Sequence, residues 1–130
     1  MKNFSDLKTF EDACKVERLD PKKSIPDFKA FAPKDRKAMI AHTKLVIIVR
    51  AANRLANKGK AWKPDWNNNQ WDKYYPWFWM QGGSSGFRFG DCDYWDSASK
   101  VGSRLCFISS DVATHVGKQF EKLYKDYFTL

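Results

Sequence analysis

Two aromatic runs on either side of a glycine-rich segment constrain this chain more than any other feature. Residues 73–80 and 87–95 are rich in Trp, Tyr and Phe, and the second run alternates with a period of two. Such runs are typical of β-strands. The segment Gly82–Gly86 between them predicts a hairpin loop, and Pro76 indicates an edge strand or a bulged one. A further strand over Arg104–Ile108 completes a predicted three-stranded antiparallel meander.

Helical patterns lie before and after these strands. Apolar residues recur at steps of three and four over residues 35–57 and again over residues 112–127. A shorter helix is predicted over residues 10–18, where Thr9 and Asp12 have the spacing of a capping box. The fold class is therefore predicted as α+β, with N-terminal helices, the meander and a C-terminal amphipathic helix in a single two-layer domain.

Charge and aromatic residues divide the chain into two halves. Residues 1–60 carry 15 Lys and Arg against 7 Asp and Glu, which accounts for the whole net charge of +8. Residues 61–130 carry 8 of each, and they hold 17 of the 21 aromatic residues, including all six Trp. We therefore describe residues 1–130 as one predicted domain with a basic helical half, 1–60, and an aromatic half, 61–130, that contains the sheet and the C-terminal helix.

Cysteine usage and hydropathy indicate a reducing compartment. Cys14, Cys92 and Cys106 are odd in number and contain no close pair, which is a poor disulfide framework. No apolar signal segment follows Met1, and the longest apolar run, Leu45–Val49, is far too short to cross a membrane. We expect a cytoplasmic protein without a membrane partner, and the sequence leaves the oligomeric state open.

Catalytic motifs are weak in this sequence. Gly82–Gly86 matches G-x-S-x-G, but that motif needs a buried parallel strand before the serine and a helix after it, whereas antiparallel-type strands flank Ser84. A Cys–His nucleophile would need a cysteine beside His42 or His115, and Cys106 lies in a predicted core strand where thiols are usually inert. We predict that the protein is not an enzyme; turnover lost on changing Ser84, Cys106 or His42 would revive that alternative.

Three carboxylates, Asp91, Asp93 and Asp96, cluster near the end of the second aromatic run. Clustered carboxylates can bind Mg²⁺ or Ca²⁺, but these lack the glycine and the distal glutamate of an EF-hand loop. Acids on a strand edge also discourage edge-to-edge pairing. The sequence contains no P-loop, dinucleotide fingerprint or Cys/His zinc spacing, so we predict neither a metal nor a cofactor.

Several short motifs together resemble a known family. They are EDACK at 11–15, KDRKA at 34–38, WKPDW at 62–66, KYYPWF at 73–78, VGSRLCF at 101–107, GKQF at 117–120 and LYKDY at 123–127. The pattern, which covers nearly the whole chain, resembles a family of small uncharacterised proteins of phages and prophages of gut bacteria. The resemblance implies a phage or prophage accessory protein in the host cytoplasm or the virion, and it implies no activity.

The rings concentrated between residues 62 and 95 are the main candidate for a binding surface. Helices can cover only one face of a sheet, and both alternating sets of residues 74–79 are aromatic, so some rings should face solvent or a partner. The predicted aromatic surface comprises Trp62, Trp66, Tyr75, Trp77, Trp79 and Trp95. Such surfaces bind single-stranded nucleic acid, proteins or sugars. The alternative is that most of these rings are core, with Trp62 and Trp66 packing a long loop.

The basic half supplies the second candidate surface. The predicted phosphate contacts are Arg36, Lys37, Lys44, Arg50, Arg54 and Lys58. Our leading sequence hypothesis is contact with nucleic acid or a nucleoprotein through these residues. Residues 71–97 have two Lys and Arg against four Asp, a local charge of −2, which weakens stacking of nucleic acid there. The competing hypothesis is a protein-binding module, a virion component or an inhibitor of a host-defence protein, that uses the Trp/Tyr-rich sheet region.

Overall fold

The computed structural model describes residues 1–80, 86–98 and 104–129. Within these ranges the chain has four α-helices and a two-stranded antiparallel sheet, which confirms the α+β class. The elements in chain order are a 3-10 turn (Phe4–Asp6), α1 (Phe10–Glu17), α2 (Pro33–Ala56), β1 (Lys73–Trp79), β2 (Arg88–Trp95), α3 (Ser110–Gln119) and α4 (Glu121–Phe128). The third strand and the single C-terminal helix of the sequence prediction are not among them.

Local capping signals define the two N-terminal helices. The Thr9 hydroxyl accepts a hydrogen bond from the amide of Asp12 at 3.1 Å, and the Asp12 carboxylate accepts from the amide of Thr9 at 3.0 Å. This reciprocal pair is the predicted capping box of α1. The long helix α2 begins at Pro33, two residues before the predicted range, because a proline at the first helical position has no amide hydrogen to leave unpaired.

The two strands pair in antiparallel register from Lys73 opposite Trp95 to Trp79 opposite Arg88. The register shifts once, where Gly90 is an extra residue in β2 between the pairs formed by its two neighbours. The bulge is therefore in β2, whereas the sequence had associated one with Pro76 of β1. Of the predicted hairpin loop, Gly82–Gly86, residues 82–85 lie outside the described residues.

The predicted third strand is wrong within the described part of residues 104–108. Only Phe107 pairs with the sheet, through an isolated bridge whose two hydrogen bonds to Tyr74 measure 3.0 and 2.7 Å. On the other side of this segment, the buried amide of Asn53 donates to the carbonyl of Cys106 and accepts from the amide of Ile108, both at 2.9 Å. A side chain of α2 thus occupies the backbone groups that a neighbouring strand would use, and Ser109 then caps α3.

The helices lie in two tiers behind the sheet. Helix α3 packs against both strands, while α2 packs against α1, α3 and α4. No Cα atom of α2 lies within 8 Å of a Cα atom in β1 or β2, ranges that are described in full. The long helix therefore does not pack on the sheet as predicted. The axes of two paired strands are about 5 Å apart, whereas a helix with its side chains is about 10 Å wide. One helix, α3, therefore covers most of the inner face of this sheet and leaves little room there for α2.

The C-terminal helical pattern is divided at Phe120, which ends α3 and precedes α4. Its backbone angles, φ −112° and ψ 27°, lie outside the helical range, while its ring is buried in the core. The break allows the carboxylate of the next residue, Glu121, to accept a 2.7 Å hydrogen bond from the amide of Phe89 in β2. The apolar face of Val112 to Tyr127 is thus shared by two shorter helices rather than one.

Candidate functional site

One face of the hairpin packs on helices and the other does not. Pro76, Phe78 and Phe89 face the core, where Phe89 lies so close to α3 that a Cβ on Gly117 would come within 2.7 Å of its ring. The opposite side of the sheet, here called the outer face, consists of Lys73, Tyr75, Trp77, Trp79, Arg88, Asp91, Asp93 and Trp95. Trp77 and Trp79 are 36% and 43% exposed. Alternation along the strands therefore produces an aromatic face that no described element covers.

At one end of the outer face, two tryptophans hold each other in place. The rings of Trp77 and Trp79 meet edge to face with their centroids 5.2 Å apart, and the guanidinium of Arg88 lies 5.4 Å from the ring centroid of Trp79. Trp77 also rests on the backbone of Gly90, where a Cβ would lie 2.6 Å from its Cε3 atom. These contacts fix both indoles before any partner arrives, which lowers the entropy cost of binding.

At the other end, a buried lysine organises a second ring cluster. Lys73 is fully buried, and its ammonium donates to the carbonyls of Asn68 at 2.8 Å and Asp96 at 2.5 Å. The same ammonium lies 5.2 Å from the ring of Trp66, which neighbours Trp95 at 6.4 Å. Trp95 in turn stacks on Tyr75 at 4.2 Å. Sequence reasoning missed Lys73; its position as the first residue of an aromatic strand was the available signal.

Two exposed carboxylates lie in the middle of the outer face. Asp91 is opposite Trp77 and Asp93 is opposite Tyr75. In the described part of the chain, neither carboxylate forms an ion pair with a cation. Burial, with a further contribution from the charge of Asp93, raises the pKa of Tyr75 above its usual value. The centre of the face is thus aromatic and negatively charged.

The same carboxylates bind amides on the edge of β2 that no described strand pairs with. One oxygen of Asp91 accepts from the amide of Cys92, and one oxygen of Asp93 accepts from the amide of Tyr94, both at 2.8 Å. Tyr74 directs its amide and carbonyl to Phe107, away from β2, so its partner Tyr94 and, by alternation, Cys92 point their amides away from β1. With its edge amides occupied, β2 is a poor template for an added strand. A partner therefore has access to the face rather than to this edge.

A second acidic pair lies at the lysine end. The carboxylates of Asp72 and Asp96 lie close enough to affect each other's ionisation. Partial burial and then this neighbour raise the pKa of Asp72 above its ordinary value. Together with Asp91 and Asp93 in the middle of the outer face, they make four carboxylates on or beside that face, whose one exposed cation, Arg88, lies at the opposite end.

The structure places five of the six predicted surface aromatics on or against the outer face: Trp66, Tyr75, Trp77, Trp79 and Trp95. Trp62 is elsewhere. It packs edge to face on Trp71 at 5.9 Å, and its indole nitrogen is buried without a hydrogen-bond partner among the described residues. Trp62 therefore packs the loop before β1, which was the alternative reading for this residue.

Five of the six predicted phosphate contacts already have partners within the molecule. Arg36 donates to the carbonyls of residues 31 and 29 at 3.1 and 3.0 Å, Lys37 pairs with Asp126 at 3.4 Å, and Lys44 lies 5.4 Å from the ring of Phe10. Arg50 and Arg54 contact the two oxygens of Glu17 at 3.6 and 2.5 Å. Lys58, the sixth, is exposed at the end of α2.

The six predicted phosphate contacts do not lie next to the outer face. They lie on α2 and just beyond it, and α3 and α4 separate that helix from the strands. A single-stranded nucleic acid cannot therefore stack on Trp77 and Trp79 while its adjacent phosphates contact Arg50 and Arg54. This separation results from the two-tier arrangement of the helices, which the sequence pattern did not show.

His42, His115 and Cys106, which were considered as possible catalytic residues, contact the protein's own rings and backbone or are buried. His42 stacks on Tyr127 at 4.6 Å, and burial lowers the pKa of His42. His115 has a ring nitrogen 2.8 Å from the carbonyl oxygen of Leu7. Burial raises the pKa of the Cys106 thiol to about 11. Ser84 lies outside the described residues, and the described ranges contain no group of three side chains suited to a metal ion.

Comparisons with known proteins give no relative from which a function could be inferred. No protein-family model matches the chain, and no curated protein or solved structure is significantly similar to it. Among the described helices, none combines the length and the apolar character required to cross a membrane.

Proposed function

We propose that this protein is a non-enzymatic binding module whose outer face recognises a basic segment of a partner protein. The observation that supports this proposal is the pair Trp77 and Trp79. Their rings contact each other, and both are exposed on a face that no described helix or strand covers. Exposed tryptophans on a packed scaffold are costly in water, and tryptophan is the residue most enriched at the energetic centre of protein interfaces.

The charges on the outer face specify the chemistry of the partner. The chain's own cations occupy ring faces at both ends, Arg88 at Trp79 and Lys73 at Trp66. In the middle, Trp77 and Tyr75 lie opposite carboxylates that have no such cation. A lysine or arginine from a partner would stack on a ring and pair with a carboxylate there, which combines cation–π attraction with charge complementarity.

The same charges argue against a polynucleotide on this face. Most of the affinity for nucleic acid comes from neutralising phosphates. The outer face offers Arg88 as its one exposed cation, whereas Asp91 and Asp93 would repel a phosphate chain laid across the rings. Contact with nucleic acid through the basic half therefore stays a separate prediction, and it is not the function that the geometry supports best.

The phage or prophage setting comes from the family resemblance alone. In that setting the partner would be a virion component or a host-defence protein that presents a lysine- or arginine-rich segment. Asp91 and Asp93 occupy two edge amides of β2, which disfavours a partner that would add a strand there. A basic segment would instead lie across the outer face.

A selection from displayed random 12-residue peptides tests this function. Peptides retained by the wild-type protein are counter-selected on the Trp77→Ala variant, and Trp62→Phe serves as the matched control because Trp62 packs in the loop. We expect enrichment of Lys and Arg in peptides that bind wild type and Trp62→Phe but not Trp77→Ala. Retained peptides that lack basic residues, or that bind Trp77→Ala equally, would overturn the proposal.

A further inference from the structure

A cationic groove lies between α1 and α2, on the far side of α3 and α4 from the sheet. It has a volume of about 540 Å³ and is lined by residues of the turn after α1 and of the middle of α2. Its charged lining residues are Arg18, Asp20, Lys23 and Arg50, three cations against one carboxylate, so +2. Because burial lowers the pKa of His42, which also lines the groove, that residue adds no charge at neutral pH.

Arg18 occupies a backbone position that favours glycine. Its φ of 58° is in the left-handed region, at the residue that ends α1, where the amide of Leu19 closes the helix on the carbonyl of Cys14 at 2.8 Å. Glycine is the usual residue at such helix ends because it has no Cβ to clash. Arginine at this position instead places a long cationic side chain in the lining of the groove.

Arg50 is presented to the same groove by a buried carboxylate. Glu17, with only 3% of its side chain exposed, holds Arg50 at 3.6 Å and also holds Arg54. Half of the Arg50 side chain nevertheless remains exposed, so part of its guanidinium is open to the groove. Glu17 therefore acts as a positioning residue: it fixes the direction of the arginine without covering it.

We propose that this groove binds a phosphate group, with Arg18 and Arg50 as its donors and Lys23 as a third positive charge. Arginine suits this role because its planar fork can donate two parallel hydrogen bonds to phosphate oxygens. The volume lies within the range of small-ligand sites, which is about 300–1,000 Å³. The phosphate can belong to a small phosphorylated molecule or to a polynucleotide backbone, and binding at this groove is independent of the outer face.

Arg18→Gly is the decisive variant, because it removes the donor while relieving the backbone strain. Lys58→Gly is its matched control: Lys58 has the same φ of 58°, carries the same charge and does not line the groove. Neither change should lower Tm. Replacing both Arg50 and Arg54 by Glu is a poor alternative, since it would place two further carboxylates beside the buried Glu17.

Binding is followed by amide NMR shifts during titration with inorganic phosphate, adenosine 5′-monophosphate and single-stranded (dT)12 at low salt. We expect shifts at Arg18, Lys23 and Arg50, an affinity at least about tenfold weaker in Arg18→Gly, and wild-type affinity in Lys58→Gly. Binding of the two small probes indicates a small phosphorylated ligand, whereas salt-sensitive binding of (dT)12 alone indicates a polynucleotide.

Three results would overturn the phosphate site: no shift at the groove with any of the probes, equal affinity of wild type and Arg18→Gly, or an equal loss in Lys58→Gly. Failure here leaves the proposed protein-binding function untouched, because the Trp77→Ala variant, which tests that function, keeps the groove intact.

Discussion

The indole ring of Trp77 lies against the backbone of Gly90, the residue that forms the bulge in the opposite strand. The bulge and the ring are thus one structural unit. Because Gly90 of β2 has no side chain, the exposed ring of Trp77 on β1 can lie directly on its backbone. This unit determines where the aromatic face presents Trp77, and it leads to the first prediction.

Gly90→Ala should displace Trp77 from its position on this backbone. A Cβ there would meet the ring at distances that real contacts do not show, so we expect a loss of about 1–3 kcal/mol in the free energy of unfolding. Gly117→Ala is the control, because its Cβ would meet Phe89 and Pro76 on the inner face instead. Urea unfolding with acrylamide quenching of Trp fluorescence distinguishes them: both variants lose stability, but only Gly90→Ala should alter quenching. Unchanged quenching in Gly90→Ala would contradict this contact.

Lys73→Met should loosen the lysine end of the outer face. The variant leaves the carbonyls of Asn68 and Asp96 without the ammonium that they share, at a cost of about 1–3 kcal/mol. Lys63→Met, at an exposed position in the loop before β1, should change the unfolding free energy by less than about 0.5 kcal/mol. Equal effects in urea unfolding would show that Lys73 does not connect the loop to the strands.

Asn53→Ala should lower the free energy of unfolding, because it removes the hydrogen bonds that join α2 to residues 106–108. The carbonyl of Cys106 and the amide of Ile108 each lose a hydrogen bond to Asn53, and the loss of both should cost about 2–4 kcal/mol. Asn57→Ala removes two side-chain hydrogen bonds at the exposed end of the same helix and should cost under about 1 kcal/mol. The urea midpoints of the two variants measure the difference. Equal midpoints would contradict a buried Asn53 bridge.

Asp96→Asn should change the pH dependence of stability. The pKa of Asp72 is raised in the folded protein, so its contribution to stability is present at low pH and is lost as the pH rises through the folded-state pKa. Removing the Asp96 charge should therefore raise Tm at pH 7, and this gain should disappear below about pH 3, where Asp72 is mostly protonated in both the folded and the unfolded state. Asp65→Asn, in the preceding loop, is the control. A gain in Tm that persists at low pH would show that repulsion is not its cause.

The hairpin and its ring-bearing face were predictable because their signal is local. Alternation along residues 87–95 assigns each side chain to one side of the sheet, and the rings outnumber the positions that helices can cover. Trp62 was misplaced in the predicted surface because a ring in a loop has no period that shows where it packs. The capping box at Thr9 was predictable for the same reason as the hairpin, since its partners are three residues apart.

The features that the sequence did not show depend on partners distant in the chain. Residues 106–108 are held on one side by a single bridge to β1 and on the other by Asn53, which is more than fifty residues away. Arg50 and Arg54 were predicted as free phosphate contacts because nothing local relates them to Glu17. Lys73 was counted as a surface charge because lysine is rarely buried without partners, and its partners here are backbone carbonyls.

The most direct test of the central claim is a titration of Trp-indole ¹⁵N-labelled protein with the most enriched basic peptide and with its counterpart in which every Lys and Arg is Gln. We predict that the indole resonances of Trp77 and Trp79 shift, that those of Trp62 and Trp71 do not, and that the Gln counterpart binds at least about tenfold more weakly. Shifts confined to Trp62 and Trp71, or equal binding of the two peptides, would contradict an outer face that recognises a basic protein segment.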